Sequence, residues 1–216
     1  VRMSPWIDRV KAVVHLLYPG QAGGRAFAEM LSGKVVPSAK LPFTIEKRWE
    51  DSPACGNYDE TRKERKVYYN EGIFVGYRGY DRKQVEPLYP FGFGLSYTGF
   101  TITPPVLEKQ EREDKIGILC KVKNVGEVPG AEVVQCYVET LCAPVVRPAK
   151  ELIRFRKVFL QPGEEQKVKF TIDRKELAFY GADMELIDGG IPLRITVGNS
   201  SRAEAGDVSL QLDRRS

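Results

Sequence analysis

Ile116-Gly117-Ile118-Leu119-Cys120-Lys121-Val122-Lys123-Asn124-Val125-Gly126 is the stretch that decides the architecture. Ile116, Ile118, Cys120 and Val122 occupy alternate positions, and a period of two puts them on one face of a strand. The run then stops at Asn124-Val125-Gly126, a turn-forming group. The same alternation returns at Val168, Phe170 and Ile172, then at Ile191, Leu193, Ile195 and Val197, then at Val208, Leu210 and Leu212. Polar residues fill most of the gaps, and Pro162-Gly163, Asp188-Gly189-Gly190 and Gly198-Asn199-Ser200 separate the runs. Roughly seven short strands with such spacing predict two antiparallel sheets packed face to face over residues 101–216. Lys150 to Leu160, KELIRFRKVFL, does not alternate cleanly and predicts a β-bulge.

Upstream of this region the chain changes character twice. Val10 to Leu17, VKAVVHLL, is a short and nearly continuous apolar run, the pattern of a strand buried on both faces. Pro19 and Gly20 end it. Ala22, Ala26, Phe27, Met30 and Leu31 then follow at helical spacing, and Gly33 is placed to close the helix. One strand–helix unit cannot stand alone, because a parallel strand needs lateral neighbours and two covered faces. Residues 34–100 are rich in Pro, Gly and aromatic residues, among them Tyr69, Phe74, Tyr77, Tyr80, Phe91 and Tyr97. Disordered segments are poor in such rings, so this part reads as an ordered connector lying across other surfaces. The predicted fold class is therefore mixed: residues 1–50 the end of an α/β sandwich, residues 51–100 the connector, and residues 101–216 an all-β sandwich of immunoglobulin or fibronectin type III shape.

Composition excludes several classes of function. Hydrophobic content of 42% and charged content of 29% are those of an ordinary globular protein. A net charge of +4 over 216 residues gives no footprint for nucleic acid. The basic run Arg62-Lys63-Glu64-Arg65-Lys66 is interrupted by an acid and reads as a solvated loop. The longest apolar run falls short of the roughly 20 residues that cross a bilayer, and Val1 to Trp6 offers no cleavable leader. Cys55, Cys120, Cys136 and Cys142 match no metal-ligand spacing, and His15 is the one histidine. Four reduced thiols lean toward the cytoplasm; a Cys120–Cys136 bridge and a secreted or periplasmic setting stay open.

Four blocks occur in an informative order. Tyr18-Pro19-Gly20-Gln21-Ala22-Gly23-Gly24 comes first, then Pro37-Ser38-Ala39-Lys40-Leu41-Pro42-Phe43-Thr44. Tyr69-Asn70-Glu71-Gly72-Ile73-Phe74-Val75-Gly76-Tyr77-Arg78 is third, and Pro90-Phe91-Gly92-Phe93-Gly94-Leu95-Ser96-Tyr97 fourth. The match continues through Val122 to Gly126, Glu132 to Val138, Pro148 to Phe155 and Pro162-Gly163-Glu164, and ends at Val197 to Ser201. Almost the whole chain, in this order, resembles the C-terminal part of glycoside hydrolase family 3, the β-glucosidase type. The resemblance implies a parent built from a (β/α)8-type barrel, an α/β sandwich and a fibronectin type III-like domain. It implies retaining hydrolysis of terminal β-D-glucosyl residues in oligosaccharides or aryl glycosides, without a cofactor or metal. It also places the nucleophilic aspartate and the acid/base glutamate upstream of Val1, so that this chain holds neither. The implied partners are a β-glucoside or oligosaccharide substrate and the N-terminal segments, in cis or as a separate chain.

Retaining hydrolysis needs two carboxyl groups about 5–5.5 Å apart across the scissile bond. Asp59-Glu60 and Glu50-Asp51 are neighbours in loops, where adjacent side chains in an extended chain diverge. Glu71 and Asp81 lie among aromatic residues, and Glu71, Tyr77 and Arg78 are the candidates for the rim of a sugar cleft. The structural reading pairs Glu71 with Arg78 or has it cap a turn. Gly20-Gln21-Ala22-Gly23-Gly24 lacks both phosphate-loop signatures and reads as close helix–strand packing. His15 reads as a core or hydrogen-bonding histidine rather than a catalytic one. Asn199-Ser200-Ser201 is a glycosylation sequon. The alternative to an enzyme part is a stand-alone module that binds carbohydrate or protein. That module needs an exposed aromatic row, for which Tyr137, Phe159, Phe179 and Tyr180 are the candidates.

Overall fold

A computed structural model describes residues 2–57, 66–108 and 114–213. Asp59-Glu60 and Arg62 to Arg65 lie outside the described residues. The order of elements is α1 (Gly23–Leu31), α2 (Tyr77–Lys83), β1 (Phe100–Ile102), β2 (Val106–Glu108), β3 (Lys115–Asn124), β4 (Gly130–Thr140), β5 (Glu151–Leu160), β6 (Glu165–Asp173), β7 (Phe179–Tyr180), β8 (Leu186–Ile187), β9 (Pro192–Gly198) and β10 (Glu204–Gln211).

Two antiparallel sheets form the bulk of the molecule. In the first, β6 pairs with β3 along its whole length, while β1 and β2 lie end to end along the other edge of β3. Pro104-Pro105 separates these two edge pieces, as expected of residues that cannot donate to a ladder. The second sheet has the order β10-β9-β4-β5, and β7 and β8 make a separate small hairpin. The alternating residues meet between the sheets: Ile118, Val122, Val134, Leu160, Ile172 and Ile195 are fully buried there. Burying each such side chain contributes about 1.5–3 kcal/mol of transfer free energy. The bulge expected in residues 150–160 is present. Cys136 pairs with Arg154 and Tyr137 with Leu152, so Ile153 is the extra residue on β5.

Asn124 closes β3 and organises the turn that follows. Its amide nitrogen donates to the carbonyls of Val128 (2.9 Å) and Leu160 (3.1 Å). Its amide oxygen accepts from Thr98 Oγ1 (2.7 Å) and Gly126 N (3.0 Å). The side chain is fully buried with each polar atom satisfied, the condition under which an amide is tolerated in a core.

Two expectations need correction. Residues 10–17 form no strand: the segment pairs with nothing among the described residues, and Val10, Val13, Val14 and Leu16 are about 40% exposed. A strand is a lateral hydrogen-bonding arrangement, and no described segment offers it an edge. His15 is likewise exposed rather than in a core, with its ring edge-on to Phe43 at 5.3 Å. The helix was legible in its spacing, and Gly33, with φ of 76°, follows the Ser32 cap of α1. Its Phe27 and Met30 are half-buried and Leu31 is exposed.

Candidate functional site

The connector is ordered by its own backbone pairing and by three anchors on the sandwich. Leu41 N donates to Phe93 O (2.8 Å) and Gly92 N to Leu41 O (2.8 Å), while Ile45 and Tyr89 form an isolated bridge. The first anchor is Lys40, whose ammonium lies 2.7 Å from Glu132 and donates to Gly94 O at 3.0 Å. Both charged side chains are about nine-tenths buried. The Glu132 carboxylate also accepts from Val133 N (2.7 Å) and Asn199 Nδ2 (3.2 Å), so the buried pair is well satisfied.

The second anchor is Gln135 on β4. Its amide nitrogen donates to Gly92 O (3.2 Å) and Asn199 O (2.8 Å), and its oxygen accepts from Tyr137 Oη (2.6 Å). Gly92 adopts φ of 80°, and a Cβ there would stand 2.2 Å from Gln135 Oε1. Glycine is required at that position on both counts.

The third anchor is α2. Tyr77, Arg78 and Asp81 turn toward the sandwich from one side of this short helix. The Tyr77 ring stacks on Phe91 at 5.0 Å and meets Tyr137 edge-on at 6.0 Å. Its hydroxyl accepts from Leu152 N at 2.8 Å, beside the bulged Ile153. Arg78 pairs with Glu151 at 3.0 Å, and Arg147 reaches the other oxygen of the same carboxylate at 2.6 Å. Asp81 lies 3.0 Å from Arg202, which also donates to Val85 O at 3.3 Å. Burial pushes the Asp81 carboxyl above its ordinary range, against the opposing pull of Arg202 and Lys150. The back of α2 packs so closely that a Cβ on Gly79 would come within 2.3 Å of Pro53.

Glu71 stands apart from these three. It accepts a short hydrogen bond from Asn57 Nδ2, and Asn70 Nδ2 donates to Asn57 Oδ1 at 3.2 Å. Glu71 therefore belongs to a small amide cluster on the loop before α2, and Arg78, its expected partner, is held by Glu151. Glu71 and Asp81, the two carboxylates singled out in the sequence, serve different contacts: one an amide, the other a guanidinium. Asp51 is buried in a third place, where the hydrogen bond from Arg48 holds its carboxyl below the usual range.

The candidate aromatic row does not assemble. Tyr137 is buried under the connector, and Phe179 is half-buried beneath the Arg147 guanidinium, 4.4 Å from the ring centre. Tyr180 and Phe159 are exposed, as is Phe155, which the sequence reading passed over. The sequon is closed: Asn199 Nδ2 is engaged by Glu132, and Ser200 and Ser201 are buried. Cys120 and Cys136 are unbridged thiols in the core. Among the described residues no group of three or more His, Cys, Asp or Glu side chains could hold a metal ion, and no helix is long and apolar enough to cross a membrane. Sequence reasoning missed Lys40, Glu132, Gln135 and Arg202. The signal for the first was a lysine set between Pro37 and Pro42 in an ordered segment; no local pattern singles out the other three.

A connector strapped by Lys40, Gln135 and α2 onto a two-sheet sandwich is a specific arrangement, and comparison with known proteins places it. Residues 1–77 match the glycosyl hydrolase family 3 C-terminal domain, and residues 132–201 match the fibronectin type III-like domain. The chain carries the C-terminal part of glycosyl hydrolase family 3. It is 45% identical over 202 residues to thermostable β-glucosidase B of Acetivibrio thermocellus, a match covering 92% of this chain and 26% of that protein. It is 44% identical over 180 residues to a β-glucosidase of Bacteroides ovatus, covering 82% of this chain and 24% of the relative. Among solved structures, the Bifidobacterium adolescentis family 3 β-glucosidase superposes with a TM-score of 0.90 at 38% identity, over 99% of this chain and 31% of that one. The Kluyveromyces marxianus β-glucosidase in complex with glucose gives 0.89 at 36% identity, over 97% of this chain and 25% of the other. This family 3 chain thus spans about a quarter of the length of the curated relatives it matches.

Proposed function

We propose that this chain is the C-terminal portion of a retaining β-glucosidase-type hydrolase that removes terminal β-D-glucosyl residues, and that it supplies structural support in place of the catalytic carboxylates. The observation that carries this reading is the superposition on β-glucosidases over nearly the whole chain, at TM-scores near 0.9, while the chain covers only a quarter to a third of each. Residues 1–50 are then the end of an α/β sandwich whose other segments cover Val10, Val13, Val14, Leu16 and Leu31. The exposure of these side chains supports that assignment, since contiguous exposed apolar residues mark an interface. Residues 51–100 strap that sandwich to the fibronectin type III-like domain through the Gly92–Gln135 contact and α2, and Lys40, just before them in the chain, adds its buried pair with Glu132. Glu71 is the rim candidate best placed to reach a sugar, because its carboxylate accepts from the neutral Asn57 amide on the loop before α2, whereas Tyr77 and Arg78 are committed to β5.

The test is hydrolysis of an aryl β-glucoside by the purified 216-residue chain, with intact mass establishing a single species. The expected result is a folded protein with no turnover. Turnover by that lone species overturns the reading and directs attention to Glu71 and Asp81.

A further inference from the structure

The C-terminal end of α2 meets outward side chains of β4, β9 and β10 without filling the space between them. A cleft of about 350 Å³ remains there, bordered by Asp81 and Gln84 on one wall and by Lys150, Thr196, Arg202 and Glu204 on the other. Clefts of this size hold small molecules. Asp81 forms the floor. Its side chain is only 5% exposed, and among the described residues neither carboxylate oxygen accepts a hydrogen bond. Arg202 compensates its charge from 3.0 Å but off the line of a hydrogen bond. An ionised carboxylate has about four acceptor positions, and leaving buried ones empty costs free energy. A carboxylate in this state at the base of an open cleft is a site for a donor.

The surrounding charges select the donor. Lys150 pairs with Glu204 at 2.6 Å and Arg194 with Glu139 at 3.4 Å, while Glu86 lies 3.7 Å from Arg202. Every cation on the wall is already paired, and four carboxylates face the space, so an anion is disfavoured. A second cation at Asp81 would meet Arg202 and Lys150. A neutral hydroxyl avoids both penalties, because it donates to a carboxylate and accepts from a neighbouring guanidinium, ammonium or Thr196 hydroxyl. The ion pairs that line the cleft offer both donors and acceptors to the hydroxyls of one molecule. We propose that this cleft binds a neutral polyol of monosaccharide size, with Asp81 and Arg202 as its anchors. The ligand touches α2 and the second sheet together, and so tightens the junction between connector and sandwich. Glu71 does not line this cleft.

The experiment is amide chemical-shift titration of the isotope-labelled 216-residue chain with D-glucose, and with glycerol as a smaller probe. Saturable shifts at Gln84, Val85 and Thr196 are expected, with glycerol binding more weakly. Asp81→Asn should weaken glucose at least tenfold, the loss of one charged hydrogen bond. Thr196→Val leaves the ion pairs intact and should weaken it severalfold, which guards against an Asp81 variant that folds poorly. Absence of saturable shifts overturns the proposal. So do shifts centred on residues 69–72, or shifts at the cleft that both variants leave unchanged. Aryl glucoside turnover does not enter any of these outcomes, so failure here and failure of the hydrolase reading are separable.

Discussion

Replacing Tyr77 with Phe removes a single oxygen and keeps both ring contacts. That oxygen accepts the Leu152 N–H at 2.8 Å, at the point where Ile153 bulges out of the β4–β5 ladder. The bulge disrupts the ladder at this point, and the Tyr77 hydroxyl supplies the acceptor for this N–H. Losing the acceptor of a buried donor costs about 1–3 kcal/mol; Tyr77 and Leu152 are half-buried, so the lower part of that range applies, about 1–2 kcal/mol. For a chain of this size that corresponds to a drop in Tm of about 2–8 °C. Urea unfolding of the 216-residue chain, followed by circular dichroism, reads the loss as a lower midpoint with unchanged slope. Amide exchange at Leu152 should accelerate in the same variant, while exchange in the β3–β6 ladder changes only with global stability. A Tyr77→Phe chain within about 0.5 kcal/mol of the parent, with unchanged exchange at Leu152, would refute the reasoning that α2 is a strap on the sandwich.

Two further outcomes follow from buried groups. Asn124→Asp keeps the shape but turns a donor into an acceptor facing the carbonyls of Val128 and Leu160, so two buried acceptors lose their partner. A loss of about 2–5 kcal/mol in urea unfolding is expected at neutral pH, and a loss below about 1 kcal/mol would show that the turn is not organised by this amide. The thiols of Cys120 and Cys136 are pushed up to about 11 and about 12 by burial, so neither supplies thiolate at pH 8. A disulfide reagent should label Cys142, which is exposed, and Cys55 more slowly, leaving the two core thiols untouched until denaturant is added. Labelling of Cys120 or Cys136 in the native chain would sink that assignment.

The sandwich was legible because its signal is local. Alternation along one strand reports which face meets the core, whatever the strand's neighbour, so Ile116 to Val122 and Leu193 to Val197 could be placed from spacing alone. The irregular β5 was legible for the same reason, since an extra residue breaks the period. The two-residue strands of β7 and β8, and the helix α2, are too short to carry a period.

The family assignment also rested on sequence, through the order of four blocks, none of which says what its residues touch. Glu71 and Arg78 share a motif, yet Arg78 pairs with Glu151 and Glu71 with Asn57. Ion pairs and hydrogen bonds between residues far apart in the chain depend on the path of the backbone, which spacing does not encode. The strand expected at residues 10–17 failed on similar grounds: apolar character records a demand for neighbours, and only the tertiary structure decides whether neighbours are there. Composition and period determined that this chain carries a sandwich and an ordered connector. The packing of α2 on β5, the buried Lys40–Glu132 pair and the cleft over Asp81 were decided by tertiary structure, because each is made of side chains brought together from segments tens of residues apart.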